Sequence, residues 1–244
     1  MTPPVSRRRL LTAAVATPPA VLLGACGTGP ATAPPSGVDE LTVPTPTPDP
    51  ADFVADVDNP WWPLVGGTTR VYGDATGRRL RRTVGGAPER VGGVPATGVR
   101  TEAVAATWGT RALPSERTSW FAQDRRRNVW LVGGTLADGS RWEAGVDGAE
   151  AGLVVTGVPR VGDGYVRLAV PGLAAERVRV REVGEVAPVA GQDLEVLLLE
   201  VTTGGPTRDE GRPRAARRGE ELLARGVGLA RFDEPGATWT LRGP

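Results

Sequence analysis

From residue 59 onward the apolar positions fall in short β-branched and aromatic runs, several of which alternate strictly with polar ones. Val178-Arg179-Val180-Arg181 and Val99-Arg100-Thr101-Glu102-Ala103 send successive side chains to opposite faces, one dry and one wet. Comparable runs lie at 68–72, 80–84, 98–108, 117–122, 128–132, 141–144, 165–170, 177–186, 194–202, 227–232 and 238–241. Turn signals stand between them: Gly66-Gly67, Gly85-Gly86, Asp138-Gly139, Asp147-Gly148, Asp163-Gly164 and Gly204-Gly205. This spacing predicts an all-β domain with little helix, built as a single antiparallel, strongly curved sheet or open half-barrel. The run 194–201 is apolar almost throughout and reads as a central strand covered on both faces. Residues 214–225 have the highest local helix propensity, yet Gly219 interrupts them and Gly226-Val227-Gly228 follows. A strand over 221–224 is favoured there over a short helix. No internal repeat is evident.

The first 58 residues have a different texture. Ser6-Arg7-Arg8-Arg9-Leu10-Leu11 leads into an apolar run of about 14 residues, shorter than the ~20 a membrane-spanning helix needs. Leu23-Gly24-Ala25-Cys26 matches the lipobox of bacterial lipoproteins, and Arg7-Arg8 resembles the twin-arginine export signal, with the general secretory route left open. Residues 1–25 are therefore expected to be a signal peptide. Cys26, the single cysteine, would become a diacylglyceryl-bearing N-terminus, and two acyl chains suffice for stable anchoring. The expected location is the outer face of the cytoplasmic membrane, with the membrane itself as the first partner. Residues 26–58 are rich in Pro, Thr and Asp, and the alternating prolines of 42–50 suit neither a helix nor a central strand. They read as a disordered, polyproline-like tether, whose roughly 30 residues reach on the order of 90 Å. Residues 59–244 then form one domain.

Composition narrows the chemistry. The chain has no Lys, Ile or His, so Ser-His-Asp triads, His-bearing zinc sites and lysine Schiff bases are excluded. With Cys26 acylated, no thiol remains for a disulfide or for nucleophilic catalysis. Without Arg7, Arg8 and Arg9 the net charge falls from +1 to −2, which does not announce a nucleic-acid binder. Arg78–Arg82 and 208–218 are the densest basic stretches, and a solvated edge strand and loop is the favoured reading of them.

Four stretches stand out from this background. They are Asn59-Pro60-Trp61-Trp62-Pro63-Leu64, then Trp120-Phe121-Ala122-Gln123-Asp124 with Asn128-Val129-Trp130, then Trp142-Glu143-Ala144-Gly145-Val146-Asp147-Gly148-Ala149, and the weaker Gly226-Val227-Gly228. In this order they resemble a family of exported bacterial proteins. Its pattern runs Asn-Pro-(aromatic)-(aromatic)-Pro-Leu, Trp-(Tyr/Phe)-Ala-Gln-Asp with Asn-Val-Trp, Trp-x-Ala-Gly-Val-Asp-Gly-Ala and Gly-Val-Gly. The resemblance implies a secreted or lipid-anchored β-domain and brings no activity with it. This chain departs from the pattern at Arg127, where the family has Gly, and at Gly134, where it has an acidic residue.

Trp120, Trp130 and Trp142 are the aromatic candidates for contact with an apolar or glycan ligand, with a cross-strand pairing of Trp120 and Trp130 expected. Glu143 and Asp147, with Asp124 as a third, are the carboxylates that glycoside hydrolysis would need about 5–10 Å apart. Against that reading, Asp147-Gly148 is a favoured turn pair. No Asp-x-Asp-x-Asp spacing points to Ca²⁺, and neither metal nor cofactor is expected. The leading expectation is a monomeric, non-enzymatic, membrane-anchored lipoprotein that binds a ligand or partner on the concave side of its sheet. An envelope-glycan hydrolase and a structural or accessory surface module are the alternatives.

Overall fold

The computed structural model describes residues 48–104, 116–136, 138–173, 175–204 and 216–243. The alternating runs become strands. β1 (Phe53–Val54), β2 (Thr69–Gly73), β3 (Arg79–Val84), β4 (Glu89–Val91) and β5 (Val94–Val104) come first. They are followed by β6 (Glu116–Asp124), β7 (Val129–Thr135), β8 (Arg141–Glu143), β9 (Gly152–Val155) and β10 (Gly164–Leu168). The last five are β11 (Glu176–Val189), β12 (Gln192–Thr203), β13 (Arg217–Ala224), β14 (Gly228–Glu234) and β15 (Ala237–Leu241). One turn of 3₁₀ helix, Pro50–Asp52, is the only helical segment among the described residues.

All the strands belong to antiparallel pairs, in the order β10-β11-β12-β13-β14-β15-β2-β3-β5-β6-β7-β8, with β1 on β6, β4 on β5 and β9 on β7. The ladder does not close, so the architecture is an open, strongly curved all-β sheet. Its two ends nevertheless meet. A single bridge joins Glu150 to Ala169, and the Tyr165 hydroxyl donates to the Val154 carbonyl at 3.1 Å. A Cβ on Gly152 would stand 1.8 Å from the Arg167 carbonyl oxygen, so only glycine allows β9 to approach β10 this closely.

The concave face holds the core. Tyr72, Leu80, Val99, Val178, Val180, Leu197, Leu199, Leu223 and Trp239 are buried in one cluster. Val178 and Val180 face inward while Arg177 and Arg181 are exposed, as alternation requires. A smaller cluster of Val189, Val196, Ala224 and Ala230 covers part of the convex face. There the β11–β12 hairpin is bent by irregularities at 180–182 and 183–185.

Several expectations need correction. Residues 53–54 pair with β6 and Val57 is 4 % exposed, so the folded domain begins before residue 59 and takes in the end of the supposed tether. Arg79–Val84 is an interior strand between β2 and β5, not an edge. Leu198 on the convex side of β12 is only half-buried, so that strand is not fully covered on both faces. Residues 221–224 are strand, as favoured, because Leu223 and Ala224 pair with Leu197 and Val196 and bury completely. Tertiary pairing outweighs the local helix preference of Glu-Glu-Leu-Leu-Ala.

Candidate functional site

One end of the curved sheet is sealed by the Asn-Pro-Trp-Trp-Pro-Leu segment. Asn59 is fully buried and acts as a peg. Its Nδ2 donates to the carbonyls of Arg127 at 2.7 Å and Thr156 at 3.3 Å, and its Oδ1 accepts the Trp61 N–H at 2.7 Å. The Gln123 side chain receives the N–H groups of Asp58 and Asn59 at 3.0 and 2.8 Å. On the far side, the Gly226 N–H donates to the Pro60 carbonyl at 2.7 Å, and Gly228, at φ 87°, lies against Pro63. The first, second and fourth sequence motifs therefore converge on this floor.

Asp124 belongs to the same construction. Its Oδ1 accepts the backbone N–H groups of Arg126 and Asn128, and its Oδ2 accepts from Asn128 Nδ2 at 2.8 Å and Trp130 Nε1 at 3.0 Å. Arg127 adopts φ 64° in this turn, the left-handed conformation that favours glycine.

Above the floor lies a cavity of about 1040 Å³, open between the ends of β6, β7, β12, β13 and β14. Trp62, Phe121, Trp142 and Phe232 give it an aromatic lining. Trp62 and Phe121 touch with ring centroids 5.3 Å apart. Trp62 is 6 % exposed, and its Nε1 is one of two buried side-chain donors or acceptors without a hydrogen-bond partner among the described residues. Trp142 rests on Gly134, where a Cβ would come within 2.6 Å of its indole nitrogen. Gly134 therefore makes room for the ring.

The charged part of the lining is largely self-neutralising. Arg167 reaches Glu176 at 3.0 Å and Glu221 at 2.6 Å, with its side chain only 12 % exposed. Burial works against the Arg167 cation, but the two carboxylates outweigh it and hold the guanidinium above its ordinary range. Arg117 crosses the cavity to Glu234 at 2.6 Å, tying β6 to the non-adjacent β14. Arg82 also lines the cavity, stacked over Trp62 with 5.6 Å between guanidinium carbon and ring centroid.

The sequence-selected residues are scattered by this arrangement. Of the three tryptophans, Trp142 alone lines the cavity. Trp120 is opposite Gly133, hydrogen-bonded to Glu89 and covered by the Arg141 guanidinium at 3.8 Å, while Trp130 is opposite Ala122. The expected Trp120–Trp130 pair does not form, because the hairpin register sets Trp130 opposite Ala122 and the slip between Trp120 and Phe121 moves Trp120 one residue further away. Glu143 accepts the Gly92 N–H at 3.0 Å and pairs with Arg141 at 3.3 Å. Asp147, at φ 50°, and Gly148, at φ 76°, form a two-residue turn with the mirror-image twist that hairpins favour. None of Asp124, Glu143 and Asp147 lines the cavity. No group of three Asp, Glu, His or Cys side chains among the described residues could hold a metal ion.

Cys26, Arg7, Arg8, Leu23, Gly24 and Ala25 lie outside the described residues. Sequence reading missed Arg82 and the Arg167 cluster; the alternation Leu80-Arg81-Arg82 carries a signal for the former, since Leu80 and Arg82 share a face. The chain matches no family model, no curated protein and no solved structure.

Proposed function

We propose that this chain is an exported, lipid-anchored binding protein whose curved sheet holds an apolar or amphipathic molecule without acting on it chemically. The observation that carries the reading is the cavity of about 1040 Å³ lined by Trp62, Phe121, Trp142 and Phe232. Concave sites that bury most of a small ligand have this aromatic lining with a few placed polar groups. Residues 1–25 serve as the export signal, Cys26 takes a diacylglyceryl group, and the proline-rich chain after it holds the cup clear of the outer membrane face.

The test is a titration of the full-length chain, carrying Cys26→Ser to remove the acyl acceptor, with the neutral apolar probe N-phenyl-1-naphthylamine. Saturable probe fluorescence, excited through the tryptophans, is expected. Trp142→Ala should weaken it about tenfold, in keeping with loss of one aromatic contact. Absence of any saturable signal would contradict the cup reading. Anchoring is tested separately by metabolic labelling with a fatty-acid analogue, where Cys26→Ser should abolish incorporation.

A further inference from the structure

Two outward-facing arginines, Arg81 on β3 and Arg100 on β5, share an acidic partner. Arg81 meets Glu102, its cross-strand opposite, at 3.3 Å, and Arg100 approaches the same carboxylate at 3.8 Å. One position along β3 the pattern breaks. Tyr72 and Leu80 are buried opposite each other on the concave face, so Arg70 and Arg82, two residues away on each strand and also opposite each other, share that face. Directly opposed side chains stand about 5 Å apart at Cβ, and like charges there are destabilising. Neither guanidinium has a carboxylate partner among the described residues, and both are half-buried. Burial holds Arg70 below the ordinary arginine range, and Arg82 across from it adds to the effect.

Three further features surround this pair. Thr101, 9 % exposed, is the residue opposite Arg82 on β5 and lines the same cavity. Trp62, beneath Arg82, carries the buried indole N–H that lacks an acceptor. Arg82 and Trp62 line both the main cavity and a small adjoining crevice, whereas Arg70 lines the crevice alone. One unneutralised cation, an orphan donor and a hydroxyl thus stand at the base of an aromatic-lined cup, with the second cation, Arg70, opposite Arg82 in the adjoining crevice. An anion would satisfy all of them. A neutral ligand would leave two opposed cations uncompensated.

We propose that Arg82 and Arg70, with Trp62 Nε1 and Thr101, bind the anionic head of an amphiphile whose apolar chain occupies the cavity toward Trp142. This rests on the cup reading above and adds the charge and orientation of the ligand: head at the floor, chain toward the mouth. The recognised chemistry is a carboxylate or phosphate on a long apolar chain. Arginine suits it because its planar fork can bind two oxygens at once.

Calorimetric titrations of the full-length Cys26→Ser chain with palmitate, hexadecyl phosphate, 1-hexadecanol and inorganic phosphate test this. Palmitate and hexadecyl phosphate are expected to bind at least about tenfold more tightly than 1-hexadecanol, the scale of a hydrogen bond to a charged group. Arg82→Gln should erase that preference, and Arg70→Gln should reduce it. Affinity for 1-hexadecanol should fall by less than affinity for palmitate in both, and unchanged far-ultraviolet circular dichroism reports that the variants are folded. Equal binding of palmitate and 1-hexadecanol, or a preference that survives Arg82→Gln, overturns the inference and leaves the cup reading standing. Inorganic phosphate binding as tightly as hexadecyl phosphate through Arg82 also overturns it, because the site would then hold a free anion. Failure of every chain-bearing probe to bind overturns the inference and the cup reading together.

Discussion

The Gln123 side-chain oxygen accepts the backbone N–H of Asn59 at 2.8 Å, joining residues 64 apart in the chain at the floor of the cup. Asn59 in turn pins the β6–β7 turn through the Arg127 carbonyl. Asn59→Ala strands the Trp61 N–H and two carbonyls in a buried site, and should cost about 3 kcal/mol in urea unfolding. Asn59→Asp should be no better, since its carboxylate would face the carbonyls that Nδ2 now satisfies. A loss below about 0.5 kcal/mol would mean that the floor does not depend on this peg.

Gly152 tests how the ends of the sheet meet. Gly152→Ala places a methyl 1.8 Å from the Arg167 carbonyl, where backbone must move. A loss of roughly 4 kcal/mol or more is expected in thermal or chemical unfolding. Gly86→Ala, with open space around its Cβ and no positive φ, should change stability by less than about 0.5 kcal/mol. Equal effects at the two sites would contradict the close contact of β9 and β10.

The Arg167 cluster should behave as a buried ion pair. Arg167→Met leaves Glu176 and Glu221 without their cation and is expected to cost about 3–5 kcal/mol. Combining it with Glu176→Gln and Glu221→Leu should recover most of that loss, because the uncompensated charges go too. Additive losses in the triple variant would count against the coupling, and double-mutant cycles measure it directly.

Asp74 sets an acid-sensitive contribution to stability. Its burial works to raise the carboxyl, but hydrogen bonds from Arg78 and Thr76 outweigh this and leave it below the ordinary carboxylate range. A depressed folded value means the unfolded state takes up the proton first, so the stabilisation is fully present above the unfolded value near 4 and disappears as pH falls through the folded one. Asp74→Asn should therefore lose roughly 2 kcal/mol at pH 7, and the gap to the parent should narrow below about pH 4. A pH-independent gap would place the effect of the substitution elsewhere.

The sheet was legible in the sequence because the concave face repeats every second residue, as in Val178 and Val180. Three strands were not. β1 has only two residues and lies inside the stretch read as tether. β9, Gly-Leu-Val-Val, is buried throughout and shows no alternation, while β4 has only three residues. The latter had a local signature after all, since Val91 and Val94 flank Gly92-Gly93, both at positive φ, the pattern of a two-residue hairpin turn. The floor motifs were recognised as distinctive, but their convergence was not readable. The bonds from Asn59 to Gln123 and from Pro60 to Gly226 join segments far apart in the chain. The candidate carboxylates drew attention for their chemistry, yet Asp124 and Glu143 are used by nearby backbone and side-chain donors and Asp147 shapes a turn. Arg82 was hidden inside a run of arginines that looked uniformly solvated, until pairing on both sides of β3 turned one of them inward.

The most direct measurement is native mass spectrometry of the full-length Cys26→Ser chain purified from its own cells without detergent, beside the Thr203→Trp variant, which narrows the cavity where β12 ends. The expected result is a population carrying one additional amphiphile mass that organic extraction removes and Thr203→Trp largely abolishes. A bare polypeptide mass in both, together with no uptake of N-phenyl-1-naphthylamine, would contradict the assignment of this curved sheet as a ligand-holding cup.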